Sequence, residues 1–213
     1  LKENGLISNK RKFNDKPTLK EEKIFNSMFL GDGSIFKSEG NINYRVNLAH
    51  TTKQKEYFLM KYEIVKDFIG VDYFEDKQFH KKQGKNYTSL KFQSQVNPYF
   101  TRMRKKWYKD GKKIIPEDIK DILDEELLAY KFFDDGSLHH NGFYISLADY
   151  DDHSIKLFVN AIYDNFEIKA NIHKRKNLYI PKKYRKKFIE LVIPYATSDV
   201  LYKLGEFSGT PNT

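Results

Sequence analysis

Two short acidic strings recur in the chain, and their residue types indicate metal-dependent chemistry. The first reads FLGDGSI around Asp32, and the second reads FFDDGSL around Asp135. A carboxylate at the C-terminal end of a helix faces the negative end of the helix dipole, which is unfavourable unless a cation lies nearby. Two such carboxylates brought together favour a hard divalent cation, Mg²⁺ or Mn²⁺. Such a site could activate water for phosphodiester hydrolysis.

The overall composition indicates a folded protein with a polyanionic partner. The 213 residues include 38 Lys and Arg against 29 Asp and Glu, a net charge of +9, and 15% are aromatic, which excludes a disordered chain. The charge favours nucleic acid first and an acidic membrane surface second. There is no Cys, which excludes a disulfide framework or a thiolate site. No apolar run reaches the roughly 20 residues of a transmembrane helix, and no signal-peptide segment is seen near the start. We therefore expect an intracellular protein without a membrane partner, of mitochondrial, bacterial or phage origin.

The two strings lie inside a longer repeat. Asp32 and Asp135 are 103 residues apart, about half of the chain. Thr18 and Glu21 form a capping-box pattern before the first string, and Asp124 can cap a helix before the second. A single Asp-Gly-Ser would indicate only a turn at a helix end. Two copies with matching flanks instead favour a duplicated unit.

The pattern after each string predicts the order αββαββα in both halves. Alternating polar and apolar residues predict sheets with one solvated face, and Pro98 and Pro181 are predicted to open the last helix of each half. The predicted fold class is α+β, with tandem pseudo-repeats, two antiparallel saddle-shaped sheets and two packed central helices. The predicted boundaries are a tail at 1–17, a first repeat at 18–104, a linker at 105–121 and a second repeat at 122–213.

Small residues allow the two helices that end at the acidic strings to pack closely. Ser27 and Gly31 lie four apart on the first helix, and Ala129 lies on the second. Lys131 interrupts the apolar pattern of the second helix. We interpret it as a surface residue whose ammonium group extends to solvent.

These strings resemble the two motifs of the LAGLIDADG homing endonucleases. The matching segments are FNSMFLGDG at 25–33 and LAYKFFDDG at 128–136. The resemblance covers nearly the whole chain after Thr18 and is to the single-chain, two-motif type. Two further strings, KKIIP at 112–116 and YKL at 202–204, are similar to the branch of the omega-intron endonuclease.

The resemblance implies a fold, an activity and particular site residues. The last Asp of each motif, Asp32 and Asp135, would bind catalytic metals, helped by the backbone carbonyls of Gly31 and Asp134. Lys113 and Lys203 match the catalytic basic residue of each half. The two sheets would form a saddle over the DNA major groove, and each half would read half of a long double-stranded target site.

DNA contacts are expected from polar side chains on the solvated sheet faces. Arg, Asn and Gln read base edges, whereas Lys mainly contacts phosphate. In the first half the candidates are Lys37, Arg45, Asn47, Lys81, Lys82, Lys91, Gln93 and Gln95. In the second half they are His139, His140, Tyr144, Ser146, Lys174 and Arg175.

Three functions fit this interpretation. The first is a sequence-specific, divalent-metal-dependent DNA endonuclease. The alternative is an RNA maturase, a splicing cofactor that binds intron RNA on the same fold with or without cleavage activity. A DNA-binding regulator without catalysis is the third, but retention of both Asp32 and Asp135 favours the enzyme. Because one chain carries both repeats, we expect a monomer.

Overall fold

The first repeat contains three helices and four strands in the computed structural model, which describes residues 14–80, 84–139 and 142–208. The elements are α1 (Leu19–Leu30), β1 (Ser34–Phe36), β2 (Arg45–Thr51), α2 (Lys55–Ile69), β3 (Phe74–His80), β4 (Lys85–Gln93) and α3 (Pro98–Trp107). Pro98 is the first residue of α3, as predicted.

The second repeat follows the same order after a short connection. The connection contains a hairpin of β5 (Tyr108–Lys109) and β6 (Lys112–Lys113), then α4 (Ile119–Ile122). The second repeat comprises α5 (Glu125–Asp135), β7 (Gly136–His139), β8 (Gly142–Ser146), α6 (Asp152–Phe166), β9 (Asn171–His173), β10 (Asn177–Pro181) and α7 (Arg185–Val192). The chain continues in 3-10 segments at Ile193–Tyr195 and Ser198–Ser208.

Each repeat builds a four-stranded antiparallel sheet with the same strand order. The orders are β1-β2-β4-β3 and β7-β8-β10-β9. Burial alternates along the strands, with Val46 and Leu48 of β2 and Phe143 and Ile145 of β8 buried in the core. One face of each sheet therefore packs on helices while the other is left to solvent. The predicted α+β class with tandem repeats is confirmed.

The two central helices pack against each other, as their small residues predicted. A capping box at Thr18 begins α1, and the Asp124 carboxylate caps α5. Ser27 and Ala129 are fully buried. The ends of the two helices differ, because α5 continues to Asp135 whereas α1 ends at Leu30 and Gly31 caps it.

Two details differ from the sequence-based expectation. Pro181 ends β10 and precedes a 3-10 turn, so α7 begins only at Arg185. The segment predicted as a linker begins inside α3, because Trp107 is fully buried and the helix continues to it. The repeat boundaries themselves stay predictions. Within the described residues, no helix is both long and apolar enough to cross a membrane.

Candidate active site at the ends of the central helices

The ends of α1 and α5 meet, and this brings the two acidic strings together. The backbone N–H of Asp32 donates to Asp134 Oδ2 across the interface at 3.2 Å. A cavity of about 270 Å³ opens beside this contact and is lined by Asp32, Asp135, Lys113 and Lys131. Both predicted metal-binding carboxylates therefore line the same cavity.

The two predicted lysines lie at the ends of the two motifs. Lys113, on β6, donates through Nζ to the carbonyl oxygen of Gly31 at 2.5 Å. Lys203, in the C-terminal 3-10 segment, donates to the carbonyl oxygens of Phe133 at 2.5 Å and Asp134 at 3.0 Å. Each ammonium group thus lies on a carbonyl that the resemblance assigns to metal binding.

Burial perturbs the titration of the groups around the cavity. Burial, with the charges of Asp134 and Asp135, raises the pKa of Asp32 to about 7. Burial and the nearby Lys131 charge lower the pKa of Lys113 to about 8. Burial also lowers the pKa of Lys203. Such pKa shifts are typical of functional sites, where the pKa values of catalytic groups lie close to the working pH.

Lys131 is not the surface residue that the sequence suggested. Its side chain is only 2% exposed, and its Nζ lies 2.6 Å from Asp135 Oδ2 one helical turn further on. Its helix is central, so even its charged side chain is enclosed. Lys131 therefore partly neutralises Asp135 at the cavity wall.

Sequence reasoning missed a second set of residues behind the cavity. Lys61 Nζ, from α2, contacts both carboxylate oxygens of Asp134 at 2.8 and 3.1 Å, and neither side chain is exposed. Tyr57 donates its hydroxyl to Asp134 Oδ1 at 2.9 Å. Burial is the largest single effect and favours the neutral carboxyl, but the Lys61 charge, His50 and the hydrogen bonds from Lys61 and the Asp32 N–H together lower the pKa of Asp134. The available signal was a Lys within the apolar stripe of α2, without any indication of its partner.

His50 is the third member of this set. Its side chain is 1% exposed, with Nδ1 3.4 Å from Asp32 Oδ2 and Nε2 3.8 Å from Asp134 Oδ1. Burial lowers the pKa of His50 to about 4, so the imidazole is neutral at physiological pH. One nitrogen of His50 and one oxygen each of Asp32 and Asp134 lie within 4.8 Å of one another.

The donor sets distinguish two places for a divalent cation. The Asp134 carboxylate is fully buried and both of its oxygens accept from Lys61, so neither water nor a phosphate oxygen could complete the coordination of an ion there. On the cavity side, the carboxylates of Asp32 and Asp135 are 36% and 27% exposed. These carboxylates and the carbonyls of Gly31 and Asp134 offer only oxygen atoms, which suit Mg²⁺ or Mn²⁺. An ion bound there would share these oxygens with the ammonium groups of Lys131, Lys113 and Lys203 or displace them. The residues present fit a divalent ion on the cavity side.

The solvated face of the first sheet carries four of the six described DNA-contact candidates of the first half. Arg45 and Asn47 on β2 lie beside Lys91 and Gln93 on β4, with Asn47 paired to Gln93 in the register. Lys37 follows β1 and is exposed. Lys81 and Lys82 lie outside the described residues.

Gln95 does not lie with these candidates. The strand β4 ends at Gln93, and the Gln95 amide donates to the Gly70 carbonyl at 2.8 Å. Gly70 caps α2, so this contact ties the end of the strand to the end of a helix. The structure therefore shows Gln95 beyond the end of β4, in contact with the end of a helix.

The second sheet presents an aromatic and histidine-containing face. Tyr144 and Ser146 alternate with buried residues on β8, and Tyr144 packs against His139, His173 and Tyr179. Lys174 and Arg175 are exposed in the turn between β9 and β10. His140 lies outside the described residues.

Comparison with known proteins identifies relatives of this architecture. Residues 23–188 match the model of the LAGLIDADG DNA endonuclease family. A cytochrome b mRNA maturase bI2 of Debaryomyces hansenii is 25% identical over 202 residues, covering 91% of this chain and 77% of the relative. The DNA endonuclease I-ChuI of Chlamydomonas applanata is 29% identical over 127 residues, covering 54% of this chain and 56% of the relative.

Solved structures give the same result for the fold. The homing endonuclease I-WcaI bound to its DNA recognition sequence superposes with a TM-score of 0.76 at 22% identity, over 86% of this chain and 85% of that one. The homing endonuclease I-DmoI in complex with DNA and Mn gives a TM-score of 0.51 at 14% identity, over 82% and 99%. The family match covers most of the chain, including both acidic strings, and the chain belongs to the LAGLIDADG DNA endonuclease family.

Proposed function

We propose that the protein is a sequence-specific endonuclease that cleaves double-stranded DNA with a divalent metal ion. The observation that carries this proposal is the shared cavity, in which Asp32 and Asp135 from different repeats meet beside Lys113. A relative named as a DNA endonuclease and a neighbouring structure solved on its DNA recognition sequence support the substrate class. We further propose that the protein acts as an intracellular monomer.

The carboxylates of Asp32 and Asp135 and the carbonyls of Gly31 and Asp134 would hold the metal, Mg²⁺ or Mn²⁺. When bound, it would supply a Lewis acid that activates water and stabilises charge on the scissile phosphate. Because the carboxylates come from different repeats, both halves would contribute to one catalytic centre.

The two lysines would act as electrostatic partners, one on each side of this centre. Lys113 approaches the end of the first motif and Lys203 the end of the second. A fixed ammonium group stabilises negative charge that develops on the phosphate in the transition state. The solvated sheet faces would hold the duplex and read its bases, and Arg45, Asn47 and Gln93 would contact base edges.

A selection followed by cleavage assays tests the proposal. A randomised duplex library is cleaved with Mg²⁺ and the new ends are sequenced, which yields the target site. Asp32→Asn and Asp135→Asn should each abolish cleavage of both strands while leaving DNA binding. Asp121→Asn, at an exposed carboxylate on α4, is the matched control and should cleave normally. Double-strand cleavage by Asp32→Asn would refute the shared metal site.

The lysine variants test the division between the two strands. Lys113→Met and Lys203→Met should each slow cleavage by about 10²–10⁴-fold without loss of binding. They should slow opposite strands, so nicked plasmid should accumulate and its nick should map to different strands. Lys109→Met, at an exposed position on β5, serves as the control. Wild-type rates for both variants would show that these lysines have no catalytic role.

A second candidate function is supported by one relative. The maturase bI2 covers 91% of this chain, more than the relative named I-ChuI. We therefore propose intron RNA as an alternative partner, tested by splicing of the intron at the encoding locus with and without the protein. Acceleration of splicing by Asp32→Asn as well as by wild type would show a maturase activity independent of DNA cleavage.

A further inference from the structure

Helix α2 of the first repeat contacts the motif of the second repeat through one buried ion pair. Lys61 lies in the interior of α2, and its side chain and that of Asp134 are both 0% exposed. The Lys61 ammonium lies 4.3 Å from the Tyr57 ring centroid and 5.5 Å from the Tyr130 ring centroid. Two aromatic rings thus flank the Lys61 ammonium, and the Asp134 carboxylate is the charge with which it pairs.

The Asp134 carboxylate in turn holds both motif ends. Its Oδ1 accepts from Lys61 and Tyr57, and its Oδ2 accepts from Lys61 and from the backbone N–H of Asp32. Asp134 immediately precedes Asp135, and its carbonyl accepts from Lys203. A shift of this carboxylate would therefore move the backbone on which Asp32 and Asp135 are carried.

Among the described residues, the first motif has no counterpart of this ion pair. The position that corresponds to Asp134 in the first motif is Gly31. Helices α2 and α6 both have 15 residues, and the seventh is Lys61 in α2 but Phe158 in α6. Phe158 is fully buried. A buried Lys thus accompanies an Asp in the opposite motif, whereas a buried Phe accompanies a Gly.

We propose that Lys61 is a positioning residue, which fixes the Asp134 carboxylate and thereby holds Asp32 and Asp135 at the spacing that a divalent ion requires. The proposal rests on the proposed metal-dependent cleavage and deepens it. Within the described residues no hydrogen bond or ion pair joins Lys61 to the carboxylates of Asp32 or Asp135, so its positioning effect would pass through Asp134. Its charge also acts on Asp32 through space, and by itself would weaken rather than strengthen the binding of a cation. Asp134 would contribute its carbonyl to the metal, with its carboxylate reserved for Lys61.

The decisive experiment measures metal binding and cleavage in Lys61→Met. Mn²⁺ binding to the protein alone is followed by loss of the free-ion EPR signal, and cleavage is followed on the selected target. Lys61→Met should weaken Mn²⁺ binding at least tenfold and slow cleavage at least 100-fold, while the DNA dissociation constant changes less than threefold. Lys66→Met, at an exposed position on the same helix, should change none of these quantities.

A rescue variant separates positioning from general destabilisation. Lys61→Met combined with Asp134→Asn removes both charges and keeps one amide oxygen, which can accept from the Asp32 N–H. The amide NH2 can donate to the Tyr57 hydroxyl, which also lies within hydrogen-bond distance of the Tyr130 carbonyl as its acceptor. This pair should recover at least tenfold of the Mn²⁺ affinity and of the cleavage rate lost in Lys61→Met. If Lys61→Met does not fold, Tyr57→Phe removes one donor to Asp134 and should weaken Mn²⁺ binding by about threefold to tenfold.

The outcomes distinguish this proposal from the proposed function. Mn²⁺ binding that is unchanged in both Lys61→Met and Tyr57→Phe would overturn the positioning role. Tighter binding in Lys61→Met would overturn it too, because Asp134 would then be a metal ligand that Lys61 suppresses. If wild type cleaves no DNA, the proposed function fails, yet weaker Mn²⁺ binding in Lys61→Met would still support the positioning of the metal site.

Discussion

Replacement of Gly31 by Ala tests how tightly the two motif ends fit together. A Cβ atom at Gly31 would lie 1.9 Å from Asp134 Oδ2, 2.8 Å from its Cγ and 2.9 Å from its Cβ. All three atoms belong to one buried side chain that Lys61 holds by both oxygens. Asp134 therefore has little freedom to move away.

The expected cost follows from these contacts. Overpacking a core costs about 1–3 kcal/mol, and loss of one partner of a buried ion pair costs about 3–5 kcal/mol. Gly31→Ala would overpack the core in full. It would weaken the Lys61–Asp134 ion pair only in part, because Asp134 would shift without leaving Lys61. We expect the free energy of unfolding to fall by about 3 kcal/mol. Urea unfolding followed by circular dichroism measures it.

The same Gly31→Ala substitution in a variant without the Asp134 side chain shows whether Asp134 causes the loss of stability. Lys61→Met with Asp134→Gly removes the three atoms that lie nearest to the new Cβ and leaves no unpaired ammonium group. In this background Gly31→Ala should cost less than about 1 kcal/mol, so the coupling energy should be about 2 kcal/mol or more. Gly40→Ala, at a positive φ with open space around it, should cost only about 1 kcal/mol in either protein. Equal costs for Gly31→Ala in the two backgrounds would refute this explanation.

Four further results are expected. Asp199 accepts from the backbone N–H groups of Glu56 at 2.7 Å and Tyr57 at 3.3 Å, and so caps α2. Asp199→Ala should therefore lower the free energy of unfolding by about 1 kcal/mol in urea titrations, and no change would contradict the cap. Because the fold raises the pKa of Asp32 from 3.8 to about 7, the stability linked to its protonated form is present below pH 3.8 and lost as the pH rises through 7. Metal-free wild type should therefore lose stability relative to Asp32→Asn over that range, and parallel urea midpoints would refute this. About ten phosphate contacts should reduce DNA affinity by about 10³–10⁵-fold between 50 and 200 mM salt, and a flat titration would exclude such contacts. Light scattering should give a mass near 25.3 kDa, and about twice that value would show a dimer.

Local signals predicted the architecture well. The capping box at Thr18 and the cap at Asp124 lie within a few residues of the helices that they begin, so the sequence reveals them directly. Strand periodicity likewise depends on neighbouring residues. Each helix and strand pattern of the first half recurs in the second half, which supports the same prediction twice. The structure accordingly shows two sheets of the same strand order.

Partners that are distant in sequence could not be predicted in this way. Lys61 and Asp134 are 73 residues apart, and a Lys in an apolar stripe does not reveal which carboxylate it meets. The prediction that Lys131 lies at the surface is wrong for the same reason, because its charge alone suggests exposure whereas packing encloses its side chain. Gln95 was placed on a sheet face because the alternating pattern continues past the last paired residue, Gln93. In each case the tertiary contact decides the role.

The presence of both motifs on one chain explains how the Lys61–Asp134 ion pair can exist without a counterpart in the other repeat. In a symmetric homodimer every residue occurs twice, so an Asp at this position would be opposed by an identical Asp. The space over Gly31 is already filled by Asp134 of the other motif, so a side chain at position 31 could not enter it. A tandem repeat avoids this conflict, since one copy can keep Gly31 and Phe158 while the other acquires Asp134 opposite Lys61. The buried ion pair therefore requires two copies that differ in sequence, which a single chain provides.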